Sequence, residues 1–124
     1  MKKKNVNHNL DTSWSLLVKL RAGMKCEKCG KEKPLNSHHI YSRSKLSTRW
    51  HLDNGICLCV GCHTFSSVFS AHKTPIEFVE WLIEYKNQNW IDRLRAKSYS
   101  IWKPMLCERQ ELLKELQDKI KSYG

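Results

Sequence analysis

The sequence predicts a small α+β domain in which one β-hairpin is stapled by a metal site and flanked by helices. Three observations favour this fold class. Two Cys-x-x-Cys pairs bracket the middle of the chain, short apolar segments with an Asn-Gly turn signal lie between the pairs, and apolar residues recur at helical spacing outside them. With 124 residues, the chain is long enough for one domain with a modest core.

The first predicted element is a short helix. Residues 1–10 are polar and basic, and we expect them to be flexible. The polar residues at 11–13 can cap a helix, so a helix is predicted at about 13–22, with Gly23 ending it.

The middle of the chain predicts the hairpin. The segment 35–41 has the pattern of a short strand, and Asn54-Gly55 is a strong turn signal before a returning strand at 56–58. A helix is then expected at about 60–70. The order in this region is therefore two strands followed by a helix.

Helices are expected to fill the rest of the chain. The segment 74–77, Thr-Pro-Ile-Glu, has a capping-box pattern with proline at the first helical position. A further helix is predicted at about 90–97, and a long amphipathic helix after Pro104. Their apolar stripes are interpreted as core, although the last helix could pair with another chain.

Charge is unevenly distributed along the sequence. The chain has 22 basic and 12 acidic side chains, a net charge of +10, and residues 1–52 carry 12 of the basic but only 3 of the acidic ones. A basic half of this kind favours a polyanionic partner such as nucleic acid, while solubility is the simpler alternative. The sequence contains no run of 18 apolar residues, so no membrane span is predicted. The first 14 residues lack the apolar stretch of a secretory signal. We therefore expect a soluble, intracellular protein.

The six cysteines favour a metal site over disulfides, since disulfides are rare in a reducing compartment. Two Cys-x-x-Cys turns can each present two thiolates to one tetrahedral zinc ion. The four predicted ligands are Cys26, Cys29, Cys59 and Cys62. A site with four protein ligands leaves no position open, which predicts a structural role. Cys57 and Cys107 are interpreted as small apolar residues of the core.

Two adjacent histidines, His38 and His39, end the first predicted strand; Asn54 begins the return, and His63 directly follows a zinc ligand. In order and spacing, SHHI…LDNGICLCVGCH closely resembles the HNH endonucleases, over about residues 26–70. The two knuckles, the basic STRW loop and the TPIEFVEWL helix resemble the small stand-alone HNH proteins common in phages.

This resemblance implies a ββα-metal motif, a hairpin packed on a helix around one ion, that hydrolyses DNA to 5′-phosphate and 3′-hydroxyl ends. It implies that His38 and His63 hold a catalytic divalent metal, that His39 is the general base, and that Asn54 braces the loop. Neighbouring side chains on a strand point to opposite faces, so His38 and His39 can serve different purposes. Many relatives carry Asp where this chain has His38. An imidazole there widens the expected metals from Mg²⁺ to Mn²⁺, Ni²⁺, Co²⁺ or Zn²⁺.

Three basic residues of the loop between the strands are candidate contacts for DNA phosphates: Arg43, Lys45 and Arg49. The alternative is a solvated loop. Trp50 could stack on a base, but burial beneath the loop is the favoured interpretation. His8, His51 and His72 are interpreted as ordinary surface or core residues, with His51 close enough to Asn54 to be a possible substrate contact.

These observations give a domain organisation of a flexible N-terminus at 1–10, a zinc-stapled nuclease core at 11–73 and a helical extension at 74–124. The expected partner is DNA, with phage packaging or DNA-processing proteins as possible further partners in the cytoplasm of a bacterial host. The main competing hypothesis is a catalytically idle zinc-ribbon module that binds nucleic acid. The charge and the cysteines fit both hypotheses, so only the His–Asn–His series discriminates between them. A further alternative, a nuclease subunit of a larger phage DNA-processing machine, differs from the first hypothesis only in its partners.

Overall fold

The computed structural model describes residues 2–124 and has the predicted α+β class. Its helices are α1 (Lys3–Arg21), α2 (Leu46–Arg49), α3 (Pro75–Lys86), α4 (Gln88–Tyr99) and α5 (Leu106–Lys121). Strands β1 (Leu35–His39) and β2 (Gly55–Cys59) pair in an antiparallel sheet. A 3₁₀ turn at Leu52–Asn54 precedes β2, and a single π-helical turn at Gly61–Phe65 follows it. Within residues 2–124, no helix combines the length and the apolar character needed to cross a bilayer.

The hairpin lies between two hydrophobic cores. On one side, α1 and α5 pack together and against the sheet, and on the other side lie α3 and α4. Strand β2 is buried along its whole length and alternates between the two cores. Cys57 contributes to the α1–α5 core, whereas Ile56 and Leu58 contribute to the α3–α4 core. This alternation lets one short strand hold both halves of the molecule together.

The N-terminal segment is where the prediction was wrong. Helix α1 begins at Lys3, so the described part of 1–10 is helical, while Met1 lies outside the described residues. Val6 and Leu10 are fully buried in the α1–α5 core, where they lie with Leu113 and Leu116 of α5. Only a partner distant in sequence makes two isolated apolar residues part of a core. The polar residues at 11–13 therefore lie inside the helix and do not cap it.

Gly55 allows α1 to approach the hairpin closely. A Cβ at this position would collide with the Val18 side chain and lie 2.8 Å from Cζ2 of Trp14. Glycine is therefore required by the packing of α1, in addition to its predicted place in the turn. Gly55 pairs with His39 in the sheet, and His38 pairs with Ile56.

Two predicted boundaries and one predicted helix cap also change. Strand β1 ends at His39 and not at 41, because Asn54 pairs with the backbone of residues 40 and 41 through a loop contact. The helix expected at 60–70 is a single π-helical turn followed by a loop. Helix α3 begins at Pro75 as predicted, but Thr74 makes no cap, since its hydroxyl bonds the backbone of Ser70.

Candidate metal centres and hydrolytic site

The four predicted cysteine ligands lie together at one end of the hairpin. Their sulfur atoms are all within 4.8 Å of one another, and the Sγ atoms of Cys29 and Cys59 are 3.6 Å apart. That distance is far longer than a disulfide bond, and all four are free thiols. Within each knuckle the second cysteine's backbone N–H donates to the first cysteine's sulfur, at 3.4 Å in Cys26–Cys29 and 3.5 Å in Cys59–Cys62.

The electrostatics of this cluster fit a cation. Burial raises the pKa of the Cys26 thiol, but backbone N–H groups, first that of Cys29, overcome this effect and lower it to about 7. The pKa of Cys62 is raised, by burial and then by its hydrogen bond with Cys59. Four thiols this close cannot all ionise unless a positive charge lies among them. The cluster can therefore hold a structural metal such as zinc, whose usual ligands include four thiolates.

The two remaining cysteines differ from each other. Cys57 is fully buried, and burial together with the Glu27 carboxylate raises its pKa to about 11, so it remains a neutral thiol in the core as predicted. The prediction for Cys107 was wrong, since its side chain is exposed near the start of α5. There it lies outside the α1–α5 core, which uses Leu113 and Leu116 farther along the helix.

A second cluster consists of three imidazoles. His38 comes from β1, His63 from the π-helical turn and His72 from the loop before α3. Nε2 of His63 lies 3.1 Å from Nδ1 of His38 and 3.1 Å from Nε2 of His72. One nitrogen from each ring therefore converges on the same small space, and these atoms all lie within 4.8 Å of one another.

The protonation state of this cluster suits metal binding. Burial, followed by the charges of His63 and His72, lowers the pKa of His38 to about 3. Burial and His72 also lower the pKa of His63. His38 and His63 are therefore neutral at neutral pH and offer nitrogen lone pairs, and converging lone pairs repel one another unless a proton or a cation lies between them. Thr64 Oγ1 lies 3.3 Å from Nδ1 of His63 and can accept a hydrogen bond from the Nδ1–H, which would leave Nε2 free as a ligand.

His72 is the residue that the sequence interpretation missed. The loop after the π-helical turn folds back, so that the N–H of Ala71 donates to Cys62 O and the N–H of His72 donates to His63 O. Neither a helix nor a strand relates His63 to His72, so no periodicity in the sequence could have paired them.

His39 lies on the opposite face of β1 from His38, against α1. Its ring stacks on the Trp14 indole with centroids 3.9 Å apart and planes 10° from parallel. Its Nε2 lies 3.0 Å from the carbonyl oxygen of Arg49. Because a carbonyl can only accept, Nε2 carries the proton and Nδ1 keeps its lone pair. Burial lowers the pKa of His39, although the Arg49 carbonyl and Asp11 act in the opposite direction, and the ring is therefore neutral at neutral pH.

Asn54 closes the loop that connects the two strands. Its side chain is fully buried; its Oδ1 accepts from the Tyr41 N–H at 2.7 Å, and its Nδ2 donates to the Tyr41 carbonyl at 3.1 Å. Its own carbonyl accepts from the N–H of Ile40. These three hydrogen bonds join the two ends of the loop between the strands.

Two of the three basic loop residues contact one carboxylate. Asp11 of α1 accepts from Nε and Nη2 of Arg49 at 3.0 and 2.7 Å, and from Nη2 of Arg43 at 3.0 Å. Trp50 is buried, and its Nε1 also donates to Asp11. The side chain of Arg49 is only 16% exposed against 64% for Arg43, so most of the Arg49 guanidinium is already engaged. Lys45 is placed elsewhere, with Nζ 5.9 Å from the centre of the Tyr99 ring.

Comparison with known proteins adds no assignment to this geometry. No family profile, curated protein or solved structure matches the chain.

Proposed function

We propose that the protein is a metal-dependent HNH-type endonuclease that hydrolyses DNA phosphodiester bonds. The observation that carries the proposal is the convergence of one ring nitrogen each from His38, His63 and His72, separate from the four-cysteine cluster. A protein that needed zinc only for stability would have no use for a second site. Three imidazoles fit Mn²⁺, Ni²⁺, Co²⁺ or Zn²⁺ better than they fit Mg²⁺.

In this proposal, His39 acts as the general base. The hydrogen bond to Arg49 O and the stack on Trp14 hold the ring so that Nδ1 has the lone pair. Nδ1 takes a proton from a water molecule as its oxygen attacks phosphorus. The bond from phosphorus to the 3′ oxygen breaks, its electron pair passes to that oxygen, and the oxygen takes a proton from solvent water, which leaves 5′-phosphate and 3′-hydroxyl ends. A cation held by the three imidazoles would stabilise negative charge on the phosphate and the leaving oxygen.

Asn54 and Asp11 support the base from the two ends of the loop. Asn54 closes the loop through the Tyr41 backbone. Asp11 holds the side chain of Arg49, and the backbone carbonyl of Arg49 orients His39. The four cysteines, in turn, tie the chain before β1 to the end of β2 and to the π-helical turn that follows it. We infer that this cluster binds a structural zinc and keeps the hairpin in place.

The experiment is cleavage of supercoiled plasmid by purified protein with a panel of divalent metals. His39→Ala should lower the cleavage rate by ~10²–10⁴-fold, the usual contribution of general base catalysis. His39→Gln guards against unfolding, because its amide can still donate to Arg49 O but is not a base. Both variants should keep the zinc content of the parent.

Ligand variants should behave differently from base variants. His38→Ala or His72→Ala should lose activity that is partly restored by more metal, because a ligand is lost and the base remains. No metal concentration should restore His39→Gln. Normal cleavage by both His39 variants would remove that residue from the mechanism, and absence of cleavage by the parent with every metal would favour the nucleic-acid-binding module instead.

A further inference from the structure

An open cleft of about 480 Å³ lies between the first half of α1 and the loop after β1. Its lining residues are polar or charged, and they are Lys4, Asn7, His8, Asp11, Arg43 and Arg49. Only Asp11 among them carries a negative charge, and its carboxylate is already engaged by Arg43, Arg49 and Trp50.

The remaining groups of this cleft offer donors. The Lys4 ammonium and the His8 ring make no hydrogen bond or ion pair with any residue in the described part of the chain. The buried Arg109 fixes the orientation of the Asn7 side chain, because Oδ1 of Asn7 accepts from Nη1 of Arg109 at 2.8 Å. Since arginine can only donate, the atom facing it must be the amide oxygen, and the NH₂ group of Asn7 is what remains for a ligand.

A buried positive charge lies next to the cleft. Arg109 is 3% exposed, and its hydrogen bonds go to Asn7 and to the carbonyl of Pro104, both neutral acceptors. Its guanidinium lies against the Trp50 ring, as does that of Arg49. Lys4, Arg43, Arg49 and Arg109 therefore carry four positive charges, against the single negative charge of Asp11. An anion bound in the cleft would offset part of this excess positive charge.

The cleft is connected to the candidate base through one residue. The side chain of Arg49 lines the cleft, and its backbone carbonyl accepts from His39. We propose that the cleft binds a phosphate group of the DNA backbone next to the bond that is cut, with Asn7, Lys4 and Arg43 as its donors. This inference rests on the proposed function for the identity of the strand, and on the contacts above for the phosphate itself.

The test is Asn7→Asp. An Asp carboxylate keeps the acceptor for Arg109, so the fold should be preserved, but it replaces the NH₂ donor by an anionic oxygen that repels phosphate. The matched control is Asn89→Asp, which makes the same chemical change at an exposed position of α4 outside the cleft. Both changes are made in the His39→Ala background, so that a short duplex DNA is bound without being cut.

Fluorescence anisotropy over a series of KCl concentrations, without added divalent metal, gives the affinity and its salt dependence. Asn7→Asp should weaken binding roughly tenfold to hundredfold relative to Asn89→Asp, the effect of losing one charge-assisted contact. The slope of log affinity against log salt should be shallower by ~0.9, because one phosphate is no longer neutralised. Thermal melting should show that both variants remain folded.

Each outcome decides the proposal. Equal affinities and slopes for the two variants overturn it. If duplex DNA is not bound but inorganic phosphate raises the melting temperature of the parent and not of Asn7→Asp, the cleft takes a free phosphate ion. If neither ligand distinguishes the variants, the cleft is not an anion site. Plasmid cleavage by the parent protein is measured separately. If the parent does not cut plasmid but the two variants still differ in DNA affinity, the result supports the cleft and refutes the nuclease.

Discussion

Replacing Asp11 by Asn should destabilise the protein through loss of a single charge. The Asp11 carboxylate joins α1 to the loop through its contacts with Arg43, Arg49 and Trp50. An amide keeps one acceptor oxygen, so the two-point contact with Arg49 is lost and an ion pair becomes a neutral contact. Hydrogen bonds to charged groups contribute about 1.5–3 kcal/mol each, and partial exposure reduces this. We expect a loss of about 2–3 kcal/mol, a melting temperature lower by roughly 6–12 °C for a domain of this size.

The pH dependence gives an independent check on the same contact. Burial raises the pKa of Asp11, but the hydrogen bonds from Arg49 and Trp50 outweigh it, and the net effect is a lowered pKa. A lowered pKa in the folded state means that the carboxylate stabilises the protein at neutral pH and that this contribution is lost as the pH falls through the folded-state pKa. The difference in melting temperature between the parent and Asp11→Asn should therefore narrow below about pH 4.

Asp92→Asn is the matched control for differential scanning calorimetry. Asp92 pairs with Arg95 at 3.4 Å, and both side chains are about half exposed, so its removal should change stability by less than about 0.5 kcal/mol. If Asp11→Asn melts at the same temperature as Asp92→Asn, the carboxylate does not hold the loop, and the support that we assign to His39 through Arg49 fails with it.

Two further predictions concern the metal staple and the packing of α1. Cys29→Ser or Cys62→Ser should release zinc and lower the melting temperature sharply, whereas the control Cys107→Ser should do neither. Metal analysis and thermal melting test this, and a stable, zinc-loaded Cys62→Ser protein would contradict the four-cysteine site. Gly55→Ala should lower the unfolding free energy by about 2–3 kcal/mol in denaturant titration, because its Cβ would collide with Val18. The control Gly61→Ala, whose Cβ would be 3.8 Å from the nearest sulfur, should lower it less, and equal losses would contradict the close approach of α1.

The features that the sequence predicted well depend on short stretches of chain. Each Cys-x-x-Cys pair forms its own turn, the Asn54-Gly55 signal lies at the start of β2, and the opposite directions of His38 and His39 follow from the alternation of a strand. Proline at the start of α3 and the buried Trp50 were likewise predicted from local chemistry and residue type. These features needed no knowledge of distant contacts.

The features that were missed depend on residues far apart in the chain. The first turns of α1 have no capping signal, and they are helical because Val6 and Leu10 pack against α5. His72 reaches the histidine cluster only because an irregular loop folds back. Asp11, predicted to cap a helix, lies within α1. Its carboxylate accepts hydrogen bonds from residues more than 30 positions away. No periodicity or local propensity encodes such pairs.

The two adjacent histidines make the chemistry of this hairpin sensitive to mispairing. A slip of one residue between β1 and β2 would exchange the faces of their side chains. His38 would then lie against Trp14, and His39 would point towards His63. Such an isomer would have the same amino acid sequence but would no longer bring His38 next to His63 and His72. By fixing the backbone of Tyr41, Asn54 disfavours the slipped isomer and so helps to select the pairing in which His38 lies beside the other two imidazoles.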